Sequence, residues 1–341
     1  MNVLVAMSGG VDSSVAAAML LDARHEVTGV TLRLWGGETD SGCCSVADVE
    51  DARRVAGQLG VPHYVFNLSD EFEEAVVEPY AAAYARGSTP NPCVECNRSI
   101  KFGELLTRAD ALGFDALATG HHARVLRDVD GTLRLRRGVD AAKDQSYVLY
   151  MLGQRELSRT MLPIGEITKF EVRAHAARLG LRTATKPESM DVCFVRREDR
   201  RDFVDARTQP RPGPLVDTTG RVLAEHAGVA GFTVGQRRGL GIALGAPRYV
   251  VGVDAPSATV TVGTQADLAC DRLVVRDLCW TAAPPPSDRS LEVQTRAHGA
   301  TGVGWIDGDV VRLREPMARV AAGQVVALYD GDLLVGGGLA A

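Results

Sequence analysis

No run of about 18 uncharged apolar residues occurs in the sequence, so no segment qualifies as a membrane-crossing helix. The opening MNVLVAMSGG has neither the basic flank nor the apolar stretch of a secretion signal, and the expectation is a cytoplasmic protein. GxxxxGKS/T is absent, which disfavours a P-loop ATPase cutting between the β and γ phosphates; GxGxxG is absent too. A large excess of one charge is also lacking. The net value of −5 argues against indiscriminate nucleic-acid binding and leaves room for a local basic surface. There is no internal repeat and no low-complexity tail. The seven cysteines are an odd number, and a chain of 341 residues can build cores without disulfide staples, so thiol chemistry or metal binding is the better expectation for them.

At that length a single core usually stops growing, and 45% hydrophobic residues can support two or three domains. Asn2 to Met7 is a short apolar run, SGGVDSS follows as a glycine-rich turn, and VAAAMLLDA favours helix. EVTGVTLRL and VPHYVFNL read as further strands, separated by an amphipathic helix with Ser45 as N-cap and Gly60 as stop. SDEFEEAVVEPYAAAYARG reads as helix, STPNPCVECN as a proline-rich loop, RSIKFGELLTRADALG as helix, and FDALATG as a buried strand ending at Gly120. This alternation predicts an α/β domain, a doubly wound parallel sheet with SGG, TPNPCVEC and TGHH at the ligand-binding strand ends. A hairpin is expected over about 125–140 with Asp130-Gly131 as its turn, then helix to about 180. From Pro210 the composition changes to short β-like runs, among them VAGFTVGQRRGLGI, YVVGVD and ATVTVG. TAAPPPSDRS is expected as a loop, with VVRLREP and QVVALYDGDLLVGG as strands of a small barrel.

Ser8-Gly9-Gly10-Val11-Asp12-Ser13-Ser14 carries the strongest signal. Adjacent glycines let the backbone approach a pyrophosphate, and the following helix start points N–H groups at it. Three serines add hydroxyl donors. The turn resembles the pyrophosphatase loop of adenylating enzymes, which leave AMP on their substrate, and that resemblance implies Asp12 as a Mg²⁺ or phosphate-side partner. Several enzyme classes share it, and later strings separate them: TPNPCVECN from Thr89, IKFGELL, ATGHHAR from Ala118, KDQSYVLY from Lys143, ESMDVCF from Glu188 and FTVGQRRGLGI from Phe232. In this order they resemble the tRNA-specific 2-thiouridylase family, from Ser8 to about Gln324.

That resemblance implies an adenine nucleotide alpha-hydrolase-like catalytic domain over about 1–200, a small central domain over 201–267 and a C-terminal β-barrel over 268–341 that holds tRNA. It implies ATP contacts from Ala6, Met7, Ser8, Gly9, Gly10, Val11, Asp12, Ser13, Leu32 and Gly120. Asn91, Pro92 and Cys93 would line an extruded wobble uridine beside His121, with Lys143, Asp144, Gln145, Arg296 and Gln324 on the RNA. Where relatives show Arg-Tyr-Arg this chain reads TRAHG, and Ala297 can neither stack nor hydrogen-bond as a tyrosine would. Cys96 is implied as nucleophile and Cys193 as persulfide carrier, supplied by a cysteine desulfurase or a sulfur-relay protein. A [4Fe-4S] cluster on Cys93, Cys96 and Cys193 stays open as an alternative. Cys43 and Cys44 either cap a helix or sit near the site, and Cys270 and Cys279 read as buried packing. Arg134, Arg136 and Arg137, the cluster Arg196, Arg197, Arg200 and Arg201, and Arg237-Arg238 are candidate phosphate partners. Two rivals remain: an amide-forming ATP pyrophosphatase acting on a small metabolite, and a nucleotide-binding thiol sensor without turnover.

Overall fold

The computed structural model describes residues 1–35, 46–188, 192–196, 198–243, 245–297 and 299–341. Strand β1 (Asn2–Ala6) turns Val3 and Val5 to one layer and Leu4 to the other, because successive side chains of a strand alternate between faces. Helix α1 (Val11–Asp22) follows, then β2 (Glu26–Arg33), α2 (Val46–Leu59), β3 (His63–Asn67), a helix α3 over 69–85, a helix α4 over 92–111 and β4 (Ala116–Ala118). A hairpin of β5 (Ala123–Arg127) and β6 (Leu133–Arg137) precedes β7 (Thr160–Met161) and α5 (Lys169–Arg178). The five parallel strands lie in the order β3-β2-β1-β4-β7. From β1 the chain winds outward through β2 to β3, then returns to set β4 on β1's other side. That reversal opens a crevice between the ends of β1 and β4, the place where open α/β sheets bind ligands.

Two cores hold the layers. Val3, Val5, Val15, Val55, Ile164 and Val172 pack α1, α2 and α5 on one face, while Leu4, Phe72, Tyr80, Ile100, Leu105 and Leu117 pack α3 and α4 on the other. Each such side chain contributes about 1.5–3 kcal/mol on burial. Among the described residues no helix is long and apolar enough to cross a membrane.

The central part is a mixed sheet of β8 (Gly213–Asp217), β9 (Val222–His226), β10 (Tyr249–Asp254) and β11 (Thr259–Gly263), in the order β10-β11-β8-β9. The last part comprises β12 (Ala269–Trp280), β13 (Leu291–Gln294), β14 (Gly302–Asp307), β15 (Val310–Ala318), β16 (Val325–Asp330) and β17 (Leu333–Ala340). They run β12-β15-β14-β13-β16-β17, and β12 pairs with β17 to close a six-stranded barrel. The β5–β6 hairpin joins β17 as well, through Leu333 opposite Arg136 and Leu334 opposite Leu135. The first part of the chain is thereby stitched to the barrel by backbone pairing.

Two expectations change here. The stretch 89–97 is not a loop throughout: Asn91 is an N-cap whose Oδ1 accepts from Cys93 N at 3.1 Å, Pro92 takes the first helical position, and α4 begins before Cys93. VAGFTVGQRRGLGI is not a strand. Val229–Gly231 is a single helical turn, and Gly235, Gly239 and Gly241 take positive φ, which breaks any extended run. The half-buried arginines of the hairpin hold protein partners: Arg134 pairs with Asp128 at 2.8 Å, Arg136 with Asp332 at 2.6 Å, and Arg137 lies 3.6 Å over the Tyr329 ring. Ser45, Cys43, Cys44 and Arg197 lie outside the described residues.

Candidate functional site

Between the end of β1 and the start of α1 the chain makes a tight turn with Gly10 as N-cap. Gly9 has φ +71°, and a Cβ there would come 2.3 Å from the Asp48 carbonyl oxygen. Gly120 is equally constrained, since its Cβ would meet Ser13 N at 2.7 Å. The two glycines let α2 and the segment after β4 press close against the turn. Ser13 Oγ accepts from Ser8 N at 3.1 Å, and Ser14 Oγ donates to Gly10 O at 2.8 Å, so hydroxyls fix the turn internally.

The turn opens into a cavity of about 320 Å³. Every residue expected to touch ATP lines it except Gly9, whose part is the backbone bend. Asp12 projects inward, where Lys169 Nζ donates to both its oxygens at 2.8 and 2.7 Å and His122 Nε2 approaches at 3.2 Å. Burial is the largest single influence on Asp12 and pushes its pKa up, but the hydrogen bonds and charges of His122 and Lys169 together hold it below the usual value. Lys143 and Lys169 both reach Glu188, at 2.7 and 3.2 Å. The hydrogen bond from Lys143 comes first in keeping that carboxyl low.

A second cavity of about 590 Å³ adjoins the first. Pro92, Cys93, Cys96 and Cys193 all line it, so the helix start of α4 and the segment after Glu188 bring the cysteines to one space. Cys96 is buried and Cys93 exposed. Phe194 anchors the Cys193 segment among Phe72, Tyr80, Phe203 and Trp35, with ring centroids 5.2 to 6.0 Å apart. Lys101, His121, Gln145 and Glu188 border both cavities. His121 donates to or accepts from Thr119 Oγ1 through Nδ1 at 2.8 Å, and burial, then the charge of Lys101, keeps its pKa well below that of an ordinary histidine. It is a neutral wall at physiological pH.

Not every expected residue faces these spaces. Asn91 caps α4 and donates to Tyr147 Oη at 3.0 Å, behind the cavity wall. Asp144 is buried and accepts from Gly138 N, Ser146 and Arg137, which makes it the keystone of its own loop. Lys143 and Gln145 on either side line the nucleotide cavity. Gln324 reaches across from the barrel to the Thr89 carbonyl, and Thr89 N donates to Ala322 O at 2.7 Å. Thr89 Oγ1 also bonds Thr233 Oγ1 of the central part at 3.2 Å, so all three parts meet at the loop leading into α4. Arg296 is exposed on the barrel, away from the residues that line either cavity.

The iron–sulfur alternative finds no support in the arrangement of the described residues. Among the described residues no three His, Cys, Asp or Glu side chains gather closely enough to hold a metal, although Cys93, Cys96 and Cys193 share one cavity. Mg²⁺ is a different case, because it binds through one or two carboxylates plus substrate phosphates and needs no such cage. Asp12 and Asp48, both lining the nucleotide cavity, suit that role. Cys270 and Cys279 sit half-buried on β12 among packing side chains.

Sequence reasoning missed Asp48, Lys101, His122, Lys169 and Lys186, all of which line the nucleotide cavity. Asn97 was missed too: Nδ2 donates to Val148 O at 3.2 Å, while the buried Oδ1 has no partner among the described residues beside the thiol cavity. Lys101 and Lys186 stand in or next to the quoted strings IKFGELL and ESMDVCF, the one signal that could have found them.

Known proteins resemble the chain over its whole length. Family models described as tRNA methyl transferase HUP domain, tRNA methyl transferase PRC-barrel domain and aminomethyltransferase beta-barrel domain match residues 1–197, 201–264 and 270–340. A tRNA-specific 2-thiouridylase of Chloroflexus aurantiacus is 49% identical, covering 99% of this chain and 97% of that one. Its counterparts in Moorella thermoacetica and Mycolicibacterium paratuberculosis are 48% and 50% identical, each over 98% of both chains. A solved NH3-dependent NAD synthetase from Campylobacter jejuni matches at 18% identity over 56% of this chain and 69% of that one, with a TM-score of 0.32, too loose to add to the fold described above. With near-complete coverage at about half identity, the chain belongs to the tRNA-specific 2-thiouridylase family.

Proposed function

We propose that this chain replaces the C2 oxygen of a tRNA wobble uridine with sulfur, consuming ATP. The observation that carries the reading is the shared wall: a glycine turn suited to a pyrophosphate and a cavity lined by Cys96 and Cys193 border each other at His121, Gln145 and Glu188. An extruded base in the larger cavity would have its C2 oxygen toward the α-phosphate and its C2 carbon toward the sulfurs. Attack of that oxygen on the α-phosphate forms a P–O bond and releases pyrophosphate. Cys193 carries a persulfide delivered by a cysteine desulfurase or relay protein. The Cys96 thiolate attacks Cys193 Sγ, forms an S–S bond and frees the terminal sulfur as hydrosulfide. Hydrosulfide then adds at C2, AMP leaves with the former C2 oxygen, and a thiol reductant reopens the cysteine pair.

The turn backbone and Ser8 and Ser13 bind phosphate, Asp12 stays ionised beside it, and neutral His121 shields the passage between cavities. Mg²⁺, when bound by Asp12 and the phosphates, neutralises charge on the triphosphate. Lys143, Gln145, Arg296 and Gln324 are assigned to the RNA. Methyl transfer, which two of the family-model descriptions name, would use neither a pyrophosphate-releasing turn nor two thiols on one cavity.

The test is direct. The protein is incubated with ATP, Mg²⁺, a cysteine desulfurase, cysteine and unmodified tRNA, with pyrophosphate and nucleosides followed together. The expected result is tRNA-dependent pyrophosphate release and 2-thiouridine by mass spectrometry. Pyrophosphate release supported by a small metabolite, and unchanged in a Cys96→Ala, Cys193→Ala double variant, would sink the proposal.

A further inference from the structure

Lys186 follows the helical turn Arg182–Thr185 and projects from there into the nucleotide cavity. Its ammonium has three N–H donors, and the structure gives it three acceptors: Gly9 O at 3.0 Å, Asp48 Oδ1 at 2.7 Å and Asp51 Oδ2 at 2.7 Å. Gly9 belongs to the glycine turn itself, while Asp48 and Asp51 lie on the first turns of α2. The cation is therefore fixed against the backbone that cradles phosphate. Arg182 Nε also approaches Asp51 Oδ1 at 3.6 Å, so Lys186 is not the sole cation on that carboxylate at the edge of a cavity built for a polyanion.

Lys169 is held differently. It sits deeper, pairing with Asp12 and Glu188, at 10% side-chain exposure against 28% for Lys186. Lys169 thus keeps Asp12 ionised, whereas Lys186 is the cation with room to change partners. A phosphate oxygen satisfies an ammonium N–H as well as a carboxylate does, and carries more charge.

We propose that Lys186 is a binding residue for the β and γ phosphates, exchanging Asp48 and Asp51 for phosphate oxygens when the nucleotide enters and holding the pyrophosphate as it leaves. The inference rests on the ATP-binding reading given above and adds to it a residue, a subsite and a division of labour between two lysines. Pro187 and Glu188, its immediate neighbours, line both cavities, and Cys193 lies seven positions on.

Competition binding separates this role from a structural one. Inorganic pyrophosphate with Mg²⁺, and separately AMP, are titrated against a fluorescent ATP analogue bound to the full chain. In Lys186→Gln, pyrophosphate binding weakens about tenfold to a hundredfold, as expected for loss of a charge-assisted contact, while AMP binding stays within about twofold. Lys186→Arg retains most of the pyrophosphate affinity, and Asp51→Asn, which removes a competing carboxylate, tightens it. Equal weakening of AMP and pyrophosphate, or unchanged pyrophosphate binding in Lys186→Gln with its melting temperature preserved, overturns the assignment and leaves the ATP reading standing. A wild-type chain that binds no ATP analogue overturns both.

Discussion

Around the glycine turn Asp12, Lys169, Glu188, Lys143, Lys186 and Asp48 form ion pairs at 2.7 to 3.2 Å, whereas the larger cavity beside it is walled by Phe72, Val76, Val148, Val192 and Phe194 around its sulfurs. The first region has its charges in place before any ligand arrives, which is what electrostatic stabilisation of a phosphate requires. The second offers volume and apolar surface, as the proposed extruded base would need. Their construction differs accordingly. The glycine turn that carries Asp12 hangs on the end of β1, fixed by sheet register, with Asp48 brought to it on α2 and Lys169 at the start of α5, while the thiol region is assembled from the start of α4 and a segment pinned by Phe194.

Paired lesions break this comparison most sharply. In Gly9→Ala the new Cβ collides with the Asp48 carbonyl at a positive φ, a strain of about 1–3 kcal/mol, and both ATP affinity and thiolation fall about tenfold or more. Cys193→Ser, in contrast, abolishes 2-thiouridine and retains tRNA-dependent pyrophosphate release. Measuring both products for both variants decides the matter: if Cys193→Ser loses pyrophosphate release as fully as Gly9→Ala does, the two regions do not divide the reaction.

A subtler effect separates the regions by acid. The folded-state pKa of Asp12 lies below its unfolded value, so its ionic contacts stabilise the fold above about pH 4 and are lost as pH falls through the folded pKa. Asp12→Asn is therefore less stable than wild type at pH 7, and the gap narrows below about pH 4. Cys193→Ser shows a difference from wild type that stays flat over the same acid range. Urea midpoints across pH 3 to pH 7, values chosen to bracket carboxylate titration, read both, and a constant Asp12→Asn gap would contradict the assignment.

The contrast also governs what the sequence discloses. Period-two alternation in β1 and adjacent glycines after it are local patterns, and they suffice to predict a parallel sheet with a phosphate turn at the proper edge. Lys169 and Lys186 are brought to Asp12 and Gly9 from more than 150 positions away, and apart from the string ESMDVCF beside Lys186 no local pattern marks them. Pairing of β17 with the β5–β6 hairpin is likewise nonlocal, so the stitching of barrel to catalytic part was invisible. The start of α4 was legible in principle. Asn91-Pro92 is an N-cap followed by proline at the first helical position, but a second proline just upstream made the stretch read as loop.

That misread position supplies the smallest predicted effect. Asn91 Oδ1 satisfies the Cys93 N–H, and Cys93 and Cys96 stand on the first two turns of the helix it caps. Asn91→Ala removes the acceptor at a cost of about 1 kcal/mol in stability. Fraying of that turn loosens the Cys96 side of the thiol cavity without touching the glycine turn, so thiolation slows a few-fold while ATP affinity holds. Asn91→Asp keeps a capping oxygen and restores the rate. A drop in ATP affinity for Asn91→Ala equal to the drop in thiolation would mean that α4 and the glycine turn move as one body, and the boundary between the two regions would have to be redrawn around Lys101 and His121, which border both.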